Sequence, residues 1–129
     1  MRIVNRVLTL NRNVANGTFD CIAGCRVELN AFELLGLGIP RNPGFTLRCV
    51  LRAQDVGPDA ILFTFPFVRT FNNPLNILDA DDIFTSTVSE EILNEDANGA
   101  DEIRARFTLV NNSNGQSLIK ESATVQIVL

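Results

Sequence analysis

The sequence predicts an all-β protein, a two-layer antiparallel β-sandwich of seven to eight strands with a jelly-roll or immunoglobulin-like arrangement. Apolar residues recur at every second position in several segments, which is the pattern of strands with one buried face. Clusters of Asn, Gly and Pro separate these segments at intervals of about ten residues, a spacing typical of sandwiches and barrels. The length of 129 residues suits one ordinary domain, so we expect residues 1–129 to form a single β-sandwich domain.

The alternation is clearest in three interior segments. Inward-facing residues occur at every second position along Cys25–Ala31, Phe45–Ala53 and Ile103–Leu109. The run Ile61–Val68 continues the pattern with phenylalanines, but Pro66 cannot donate a ladder hydrogen bond. That proline predicts an edge strand, a bulge or a strand break.

Turn residues lie between these strands. Asn16–Gly17 and the run Asn111–Gly115 predict hairpins, because Asn and Gly tolerate positive φ. The segment Leu35–Gly44, rich in Gly and Pro, predicts a loop. The only helix that the sequence predicts is a turn around Val88–Leu93.

Both chain ends are prone to form strands. Val125–Leu129, Ile3–Val4 and Val7–Leu10 contain neither Lys nor Pro, the residues that usually protect an edge strand. Two interpretations follow. These runs either pair within the sheets of their own chain, or they pair with a neighbouring copy by β-strand addition.

The composition excludes several kinds of active site. The chain has no His, Trp or Tyr, and Lys120 is its only lysine. Without His, the commonest general base and the commonest zinc ligand are missing, which excludes Ser-His-Asp and Cys-His nucleophile systems. Lys120 follows no Gly-rich turn between a strand and a helix, so the sequence predicts no phosphate loop. We therefore expect a protein that is not an enzyme and has no resident cofactor.

The net charge of −4 is unevenly distributed. Residues 1–52 carry +4, residues 53–102 carry −10 and residues 103–129 carry +2. Opposite charges in separate regions suit head-to-tail self-association, and the alternative is that they neutralise each other within one fold. The negative net charge and the lack of a basic patch argue against a nucleic-acid partner. No apolar run reaches the roughly 18–20 residues of a membrane span, and no cleavable signal pattern precedes the first strand.

Acidic and amide side chains are concentrated between Arg69 and Arg104, where no other basic residue occurs. Calcium takes six to eight oxygen ligands from loops rich in Asp, Asn and backbone carbonyls. The candidate calcium ligands are Asp79, Asp81, Asp82, Asn94, Asp96, Asp101 and Glu102. The sequence does not match the calcium loop that joins two helices. That loop needs Gly five positions after its first Asp, and Asp101 stands five positions after Asp96. A solvated acidic loop without metal is the alternative.

Leu93–Ile103, followed by Ala105 and Leu109, resembles a calcium loop of the synaptotagmin-type phospholipid-binding sandwich domains. In that family a strand ends in Asp-x-Asp and a further acid precedes the next strand. Here Asn94 stands in place of the first Asp, and Asp101 or Glu102 stands in place of the later acid. The resemblance implies calcium ligation by this loop. It does not extend to the family's other calcium loop, which has no clear counterpart near the N-terminus, so it does not imply membership.

Three cysteines, Cys21, Cys25 and Cys49, leave several pairings open. The spacing of Cys21 and Cys25 does not match a zinc knuckle. Cys25 and Cys49 fall on inward-facing positions, where a free thiol behaves as a small apolar side chain. A Cys25–Cys49 bridge between the sheets and an intermolecular bond through Cys21 are the alternatives.

Together these features predict a non-enzymatic structural subunit of a homomeric surface structure, filament or shell. β-strand pairing and charge complementarity would hold its copies together, so the expected partner is the chain itself. A calcium-dependent module that binds lipid or carbohydrate through the acidic residues is the alternative. Neither nucleic acid nor a membrane is expected as a partner, and the subunit interpretation implies the surface of a cell or particle.

Overall fold

The structure is a computed structural model that describes residues 1–53, 61–74, 81–94 and 101–127. Nine strands and two short helices lie within these ranges, compared with the seven to eight strands predicted, because short strands divide the borders of one sheet. They are β1 (Arg2–Asn13), β2 (Thr18–Glu28), α1 (Ala31–Leu37), β3 (Phe45–Ala53), β4 (Ile61–Thr64), β5 (Arg69–Phe71), β6 (Asp82–Ser89), α2 (Glu90–Leu93), β7 (Asp101–Asn111), β8 (Ser117–Glu121) and β9 (Val125–Ile127). The chain is therefore mostly β, as its two-residue alternation predicts.

The strands form two antiparallel sheets. Sheet A has the order β1-β2-β6, and sheet B has the order β4-β3-β7-β8. In sheet B, β5 also pairs with β3, beyond the part of β3 that pairs with β4. In the same way, β8 and β9 pair with successive parts of β7. Each border of sheet B is thus shared by two short strands.

One apolar core lies between the sheets. Alternate residues of β2, β3 and β7 are buried, which is why these strands carry the clearest alternation in the sequence. Phe84 of sheet A is fully buried, and its ring centroid lies 6.3 Å from that of Phe107 in sheet B. Phe67 stacks on Phe84 at 5.3 Å with an interplanar angle of 11°. Burial of each such ring stabilises the fold by about 2–3 kcal/mol. The predicted all-β architecture with two packed layers is confirmed.

Two predicted hairpins are confirmed. Gly17 has φ +63° in the turn between β1 and β2, and Gly115 has φ +77° in the turn between β7 and β8. Both values lie in the left-handed region that Gly adopts at low cost. The residue types alone thus predict the two points at which the chain reverses direction.

The segment after β2 differs from its prediction. The strand predicted to reach Ala31 ends at Glu28, and α1 occupies part of the predicted loop. A capping box explains the helix, because the Asn30 side chain accepts from Glu33 N at 2.8 Å and Glu33 Oε1 accepts from Asn30 N at 3.0 Å. The amino group of Met1 binds the same Glu33 carboxylate at 2.8 Å.

The predicted helical turn is confirmed at Glu90–Leu93, whereas Val88 and Ser89 belong to β6. The run Ile61–Val68 is a strand only as far as Thr64, so Pro66 follows a strand break. Among the described residues, no helix has the length and apolar character needed to span a bilayer.

Both chain ends pair within the chain. β1 pairs with β2, and β9 pairs with β7, while residues 128–129 of the predicted C-terminal strand lie outside the described residues. Of the two interpretations, pairing inside the chain's own sheets is the one observed. Both strands stand at a border of their sheet.

An arginine joins the two sheets on each side. On one side, Arg6 of β1 donates from Nε to the carbonyl oxygen of Glu121 on β8 at 2.8 Å. On the other, Arg69 of β5 donates from Nη2 to the carbonyl oxygen of Ile83 on β6 at 3.0 Å. The register of β1 shifts at an irregularity that includes Asn5, whose φ is +52°. Such bulges turn a side chain away from the regular alternation. Arg6 lies within this irregularity, and its side chain extends to the other sheet.

Candidate functional site

The candidate calcium ligands are only partly described. Asp79 and Asp96 lie outside the described residues, and Asp101 is described only as the first residue of β7. The remaining candidates are Asp81, Asp82, Asn94 and Glu102. Within the described ranges, no three His, Cys, Asp or Glu side chains group closely enough to hold a metal ion.

Strand β6 separates two of these four candidates. Asp82 is the first residue of β6, whereas Asn94 follows α2 beyond the other end of that strand. Eight strand residues extend for about 26 Å, whereas two ligands of one calcium ion lie within about 5 Å of each other. Asp82 and Asn94 thus lie at or beyond opposite ends of one strand, and the calcium site stays a prediction. Glu102 is an exposed strand residue opposite Gln126.

Asp81 and Asp82 are adjacent and already interact with arginines. Arg26 Nε lies 3.3 Å from Asp81 Oδ1. Burial raises the pKa of Asp82 to about 6, Arg69 opposes that rise, and the charge of Asp81 adds to it. Asp81 is thus paired with Arg26, and the charge of Arg69 acts on Asp82 without a described ion pair between them.

A second concentration of charge lies on the outer face of sheet B. The pairing of β3 with β7 sets Arg52 opposite Arg104, and the pairing of β7 with β8 sets Arg106 opposite Glu121. Paired residues point to the same face of a sheet, and this face is the one opposite to the core. Arg48 occupies the same face and is exposed. We call Arg48, Arg52, Arg104 and Arg106 the arginine face.

Three guanidinium groups of the arginine face share the carboxylate of Glu121. Glu121 Oε2 lies 2.8 Å from Arg52 Nη1 and 3.6 Å from Arg106 Nε, and Oε1 lies 3.3 Å from Arg104 Nη1. The Arg52 side chain is 5% exposed, compared with 25% for Arg104 and 31% for Arg106. Glu121 therefore makes its shortest contact with the most buried arginine, while the other two guanidinium groups are more open to solvent.

Arg6 holds the backbone beside this carboxylate. In addition to its bond to the Glu121 carbonyl, Arg6 donates from Nη1 to the carbonyl oxygen of Ile3 at 2.6 Å. These two bonds tie β8 to the irregular part of β1. The position of Glu121 is thereby fixed through both its main chain and its side chain.

Arg104 and Arg106 retain unused hydrogen-bond donors. In the described part of the chain, Arg104 makes one hydrogen bond, at 3.3 Å, and Arg106 makes none. The Nε atoms of both are buried without a hydrogen-bond partner there. Arg52, Arg104, Arg106 and Glu121 carry a summed charge of +2, and repulsion between like charges is strong where water screens poorly. This group of side chains is therefore suited to bind an anion.

The paired arrangement of these arginines was not evident from the sequence. The alternation places Arg48 and Arg52 on one face of β3, and Arg104 and Arg106 on one face of β7, but it does not reveal that β3 and β7 are neighbours. The expected lack of a basic patch, one reason for predicting no nucleic-acid partner, is therefore corrected. The sequence did contain one sign of this cluster, because each of the two strands carries a pair of outward-facing arginines.

Cys21, Cys25 and Cys49 are free and buried. Burial raises the pKa of Cys21 to about 11, and Asp20 adds to that rise. Burial likewise raises the pKa of Cys25 to about 12 and the pKa of Cys49 well above its ordinary value. The thiols are thus protonated at neutral pH and pack as apolar groups, which is the first of the alternatives predicted for Cys25 and Cys49.

A pocket of about 480 Å³ lies between α1 and the β7–β8 hairpin. Its lining includes the apolar side chains Phe32, Leu35 and Ile39 and the amides Asn111, Asn114 and Gln116. Among its described lining residues, Glu33 is the only charged one, and it is already bound by Asn30 and Met1. The pocket therefore offers no free charged group for chemistry.

Comparison with known proteins adds no family assignment. No protein-family model matches the chain, no curated protein matches it, and no solved structure matches it. Function is therefore inferred from the geometry of the chain's own residues.

Proposed function

We propose that the chain is a non-enzymatic subunit of a homomeric assembly, in which the arginine face of one copy binds acidic residues of the next. The observation that carries this proposal is the sharing of one carboxylate, Glu121, by three guanidinium groups in a chain of net charge −4. Positive charge is in excess on one face, and negative charge is in excess elsewhere in the same chain. Such complementary regions attract copies of one chain to each other and set their relative orientation.

An exposed carboxylate is available for this contact. Glu91 on α2 is exposed and has no ion-pair partner in the described ranges, whereas Glu102 lies on the same face of β7 as Arg104. The side-chain carboxylates of Glu28, Asp81 and Glu90, in contrast, each contact an arginine of the same chain. The segment 53–102 as a whole carries −10. Carboxylates in that segment are the groups that we propose bind the arginine face.

The contact joins two different surfaces of one chain, so it is heterologous. Repetition of a heterologous contact produces a ring when the rotation closes and an open filament when it does not. This supports a repeating structure such as a filament, shell or appendage rather than an isolated two-fold dimer.

Charge complementarity has more support than β-strand addition. The terminal strands β1 and β9 have partners within the chain. Arg6 and Arg69 occupy the carbonyl oxygens of Glu121 and Ile83 at sheet borders, where an added strand would otherwise find acceptors. We therefore propose side-chain ion pairs as the main contact between copies.

Sedimentation velocity over a range of protein and salt concentrations tests the proposal. We expect oligomers that grow with protein concentration and dissociate between about 0.05 and 0.5 M NaCl, because exposed charges are screened over about 10 Å at 0.1 M salt. Arg48→Glu should weaken assembly. Arg41→Glu is the matched control, since Arg41 is also exposed but lies in the turn after α1.

Two outcomes would overturn the proposal. One is a monodisperse monomer at the highest concentration, with and without reductant. The other is equal assembly by the wild type and Arg48→Glu, which would show that the arginine face is not the contact.

A further inference from the structure

We propose that Arg104 and Arg106, beside Glu121, form a binding site for a tetrahedral oxyanion of the phosphate class. The site itself does not depend on self-assembly. Its consequence, competition between the oxyanion and the carboxylates of a neighbouring copy, rests on the proposed function.

The base of the site is held from two directions. Arg52, which is almost completely buried, contacts Glu121 Oε2 at 2.8 Å, and Arg6 holds the Glu121 carbonyl oxygen at the same distance. Glu121 is therefore fixed at the inner end of the cluster. Its carboxylate cannot move outward to saturate Arg104 and Arg106 without breaking its short contact with Arg52.

The open part of the site consists of two guanidinium groups from one strand. Arg104 and Arg106 are two residues apart on β7 and point to the same face, so their Cα atoms are about 6.6 Å apart. A guanidinium group presents a planar fork of N–H donors that matches two oxygens of one anion. At this spacing the two forks can bind different oxygens of a single tetrahedral group, whereas a carboxylate offers only two oxygens.

The charge of the site also favours a phosphate. Arg104 and Arg106 together carry +2, and a phosphate group carries about −1.5 to −2 at pH 7. One phosphate dianion would therefore match the charge of these two guanidinium groups, whereas one carboxylate would match half of it. The anion would also receive the hydrogen bonds that Arg106 and most of Arg104 do not make within the described residues.

Glu121 acts in this arrangement as an internal competitor for the incoming anion. Glu121→Gln keeps the shape of the side chain and the carbonyl oxygen that Arg6 binds, but it removes the negative charge. A site for an oxyanion should bind more tightly after this change. A cluster with only a structural role would simply become less stable.

Isothermal titration calorimetry with inorganic phosphate, at ionic strength held constant with NaCl, tests the site. We expect saturable binding in the millimolar range, about tenfold weaker in Arg106→Gln and about tenfold tighter in Glu121→Gln. Arg41→Gln is the matched control for loss of one positive charge, and its affinity should equal that of the wild type. Sulfate should compete with phosphate, because the site recognises tetrahedral oxygens.

Absence of saturable phosphate binding in both the wild type and Glu121→Gln would overturn the inference. Equal affinity in Arg106→Gln and Arg41→Gln would overturn it as well, and this comparison remains decisive if Glu121→Gln does not fold. Sedimentation with and without phosphate separates the two proposals. Binding to a chain that stays monomeric would support the site and contradict the assembly, and assembly without phosphate binding would do the reverse.

Discussion

Arg6 and Glu121 connect the two sheets from positions 115 residues apart in the chain. The guanidinium group on β1 donates to the backbone carbonyl of β8 at 2.8 Å, while the carboxylate of the same glutamate contacts arginines of β3 and β7. Glu121 thus links three strands of sheet B to the border of sheet A. Glu121 therefore contributes both to the contact between the sheets and to the charge of the arginine face.

Replacement of Arg6 by Gln should lower the free energy of unfolding by about 1–2 kcal/mol, because two charge-assisted hydrogen bonds to carbonyl oxygens are lost. Urea unfolding followed by circular dichroism measures the change. Arg2→Gln is the control, since Arg2 is largely exposed and contacts Glu28 at 3.4 Å, and it should cost less than about 0.5 kcal/mol. Equal effects of the two changes would contradict a role for Arg6 in joining the sheets.

Asp82 should make the fold less stable as the pH rises. Its pKa is raised from 3.8 to about 6, so the folded chain holds this proton more tightly than the unfolded chain does. The stability that the protonated carboxyl contributes is complete below about pH 4 and is lost as the pH rises through about 6. Asp82→Asn cannot ionise and should match the wild type near pH 3.5.

Near pH 7.5, Asp82→Asn should exceed the wild type by about 1–2 kcal/mol, a value reduced from the full shift because the side chain is partly exposed. Urea unfolding of both proteins at a series of pH values measures this difference. An NMR titration of the Asp82 carboxyl with a midpoint near 4 would refute the prediction.

Gly44 should be far more sensitive to substitution than Gly115, although both have positive φ. Gly44 has φ +73°, and a Cβ there would collide with the backbone carbonyl of Phe71. Gly115 has φ +77°, and a Cβ there meets no atom within 4 Å. Thermal unfolding should show a loss of about 1 kcal/mol for Gly115→Ala and more than about 3 kcal/mol for Gly44→Ala. Similar losses of stability would mean that the positive φ alone, and not the collision with Phe71, explains the cost of alanine at both positions.

The three thiols should react with an aromatic disulfide reagent only when the chain opens. Cys21, Cys25 and Cys49 are buried, and their pKa values are raised, so little thiolate is present at pH 8. We expect slow modification in the native state and rapid modification of three thiols in concentrated urea. At high reagent concentration the native rate should stop rising, because it then equals the rate of opening. Immediate reaction of one thiol in native buffer would contradict its burial.

Local patterns predicted much of the fold. The alternation along Phe45–Ala53 and Ile103–Leu109 marks the two central strands of sheet B, because each strand buries one face against the core. Asn16–Gly17 and Asn111–Gly115 mark the reversals, because left-handed backbone restricts the residue type. Helix α1 was missed although Asn30 and Glu33 have the spacing of a capping box. The apolar alternation that precedes it favoured a longer strand.

Pairing between distant segments could not be predicted in the same way. The outward positions of Arg52 and Arg104 are local properties, but their adjacency depends on β3 lying next to β7, which no local pattern specifies. The calcium prediction depends on residues that include Asp79 and Asp96, outside the described ranges, so it stays a prediction. The jelly-roll or immunoglobulin-like arrangement stays a prediction too.

The divided borders of sheet B also determine which kind of contact the proposed assembly could use. Strands β4, β5, β8 and β9 are three to five residues long, so neither border presents a long uninterrupted row of backbone donors and acceptors. Amyloid growth needs such a row as a template for the next chain. The described borders of sheet B therefore offer no such template, unlike the longer border strands β1 and β6 of sheet A. In the proposed assembly, contacts through the charged outer face of sheet B would then be reversible ion pairs between folded molecules.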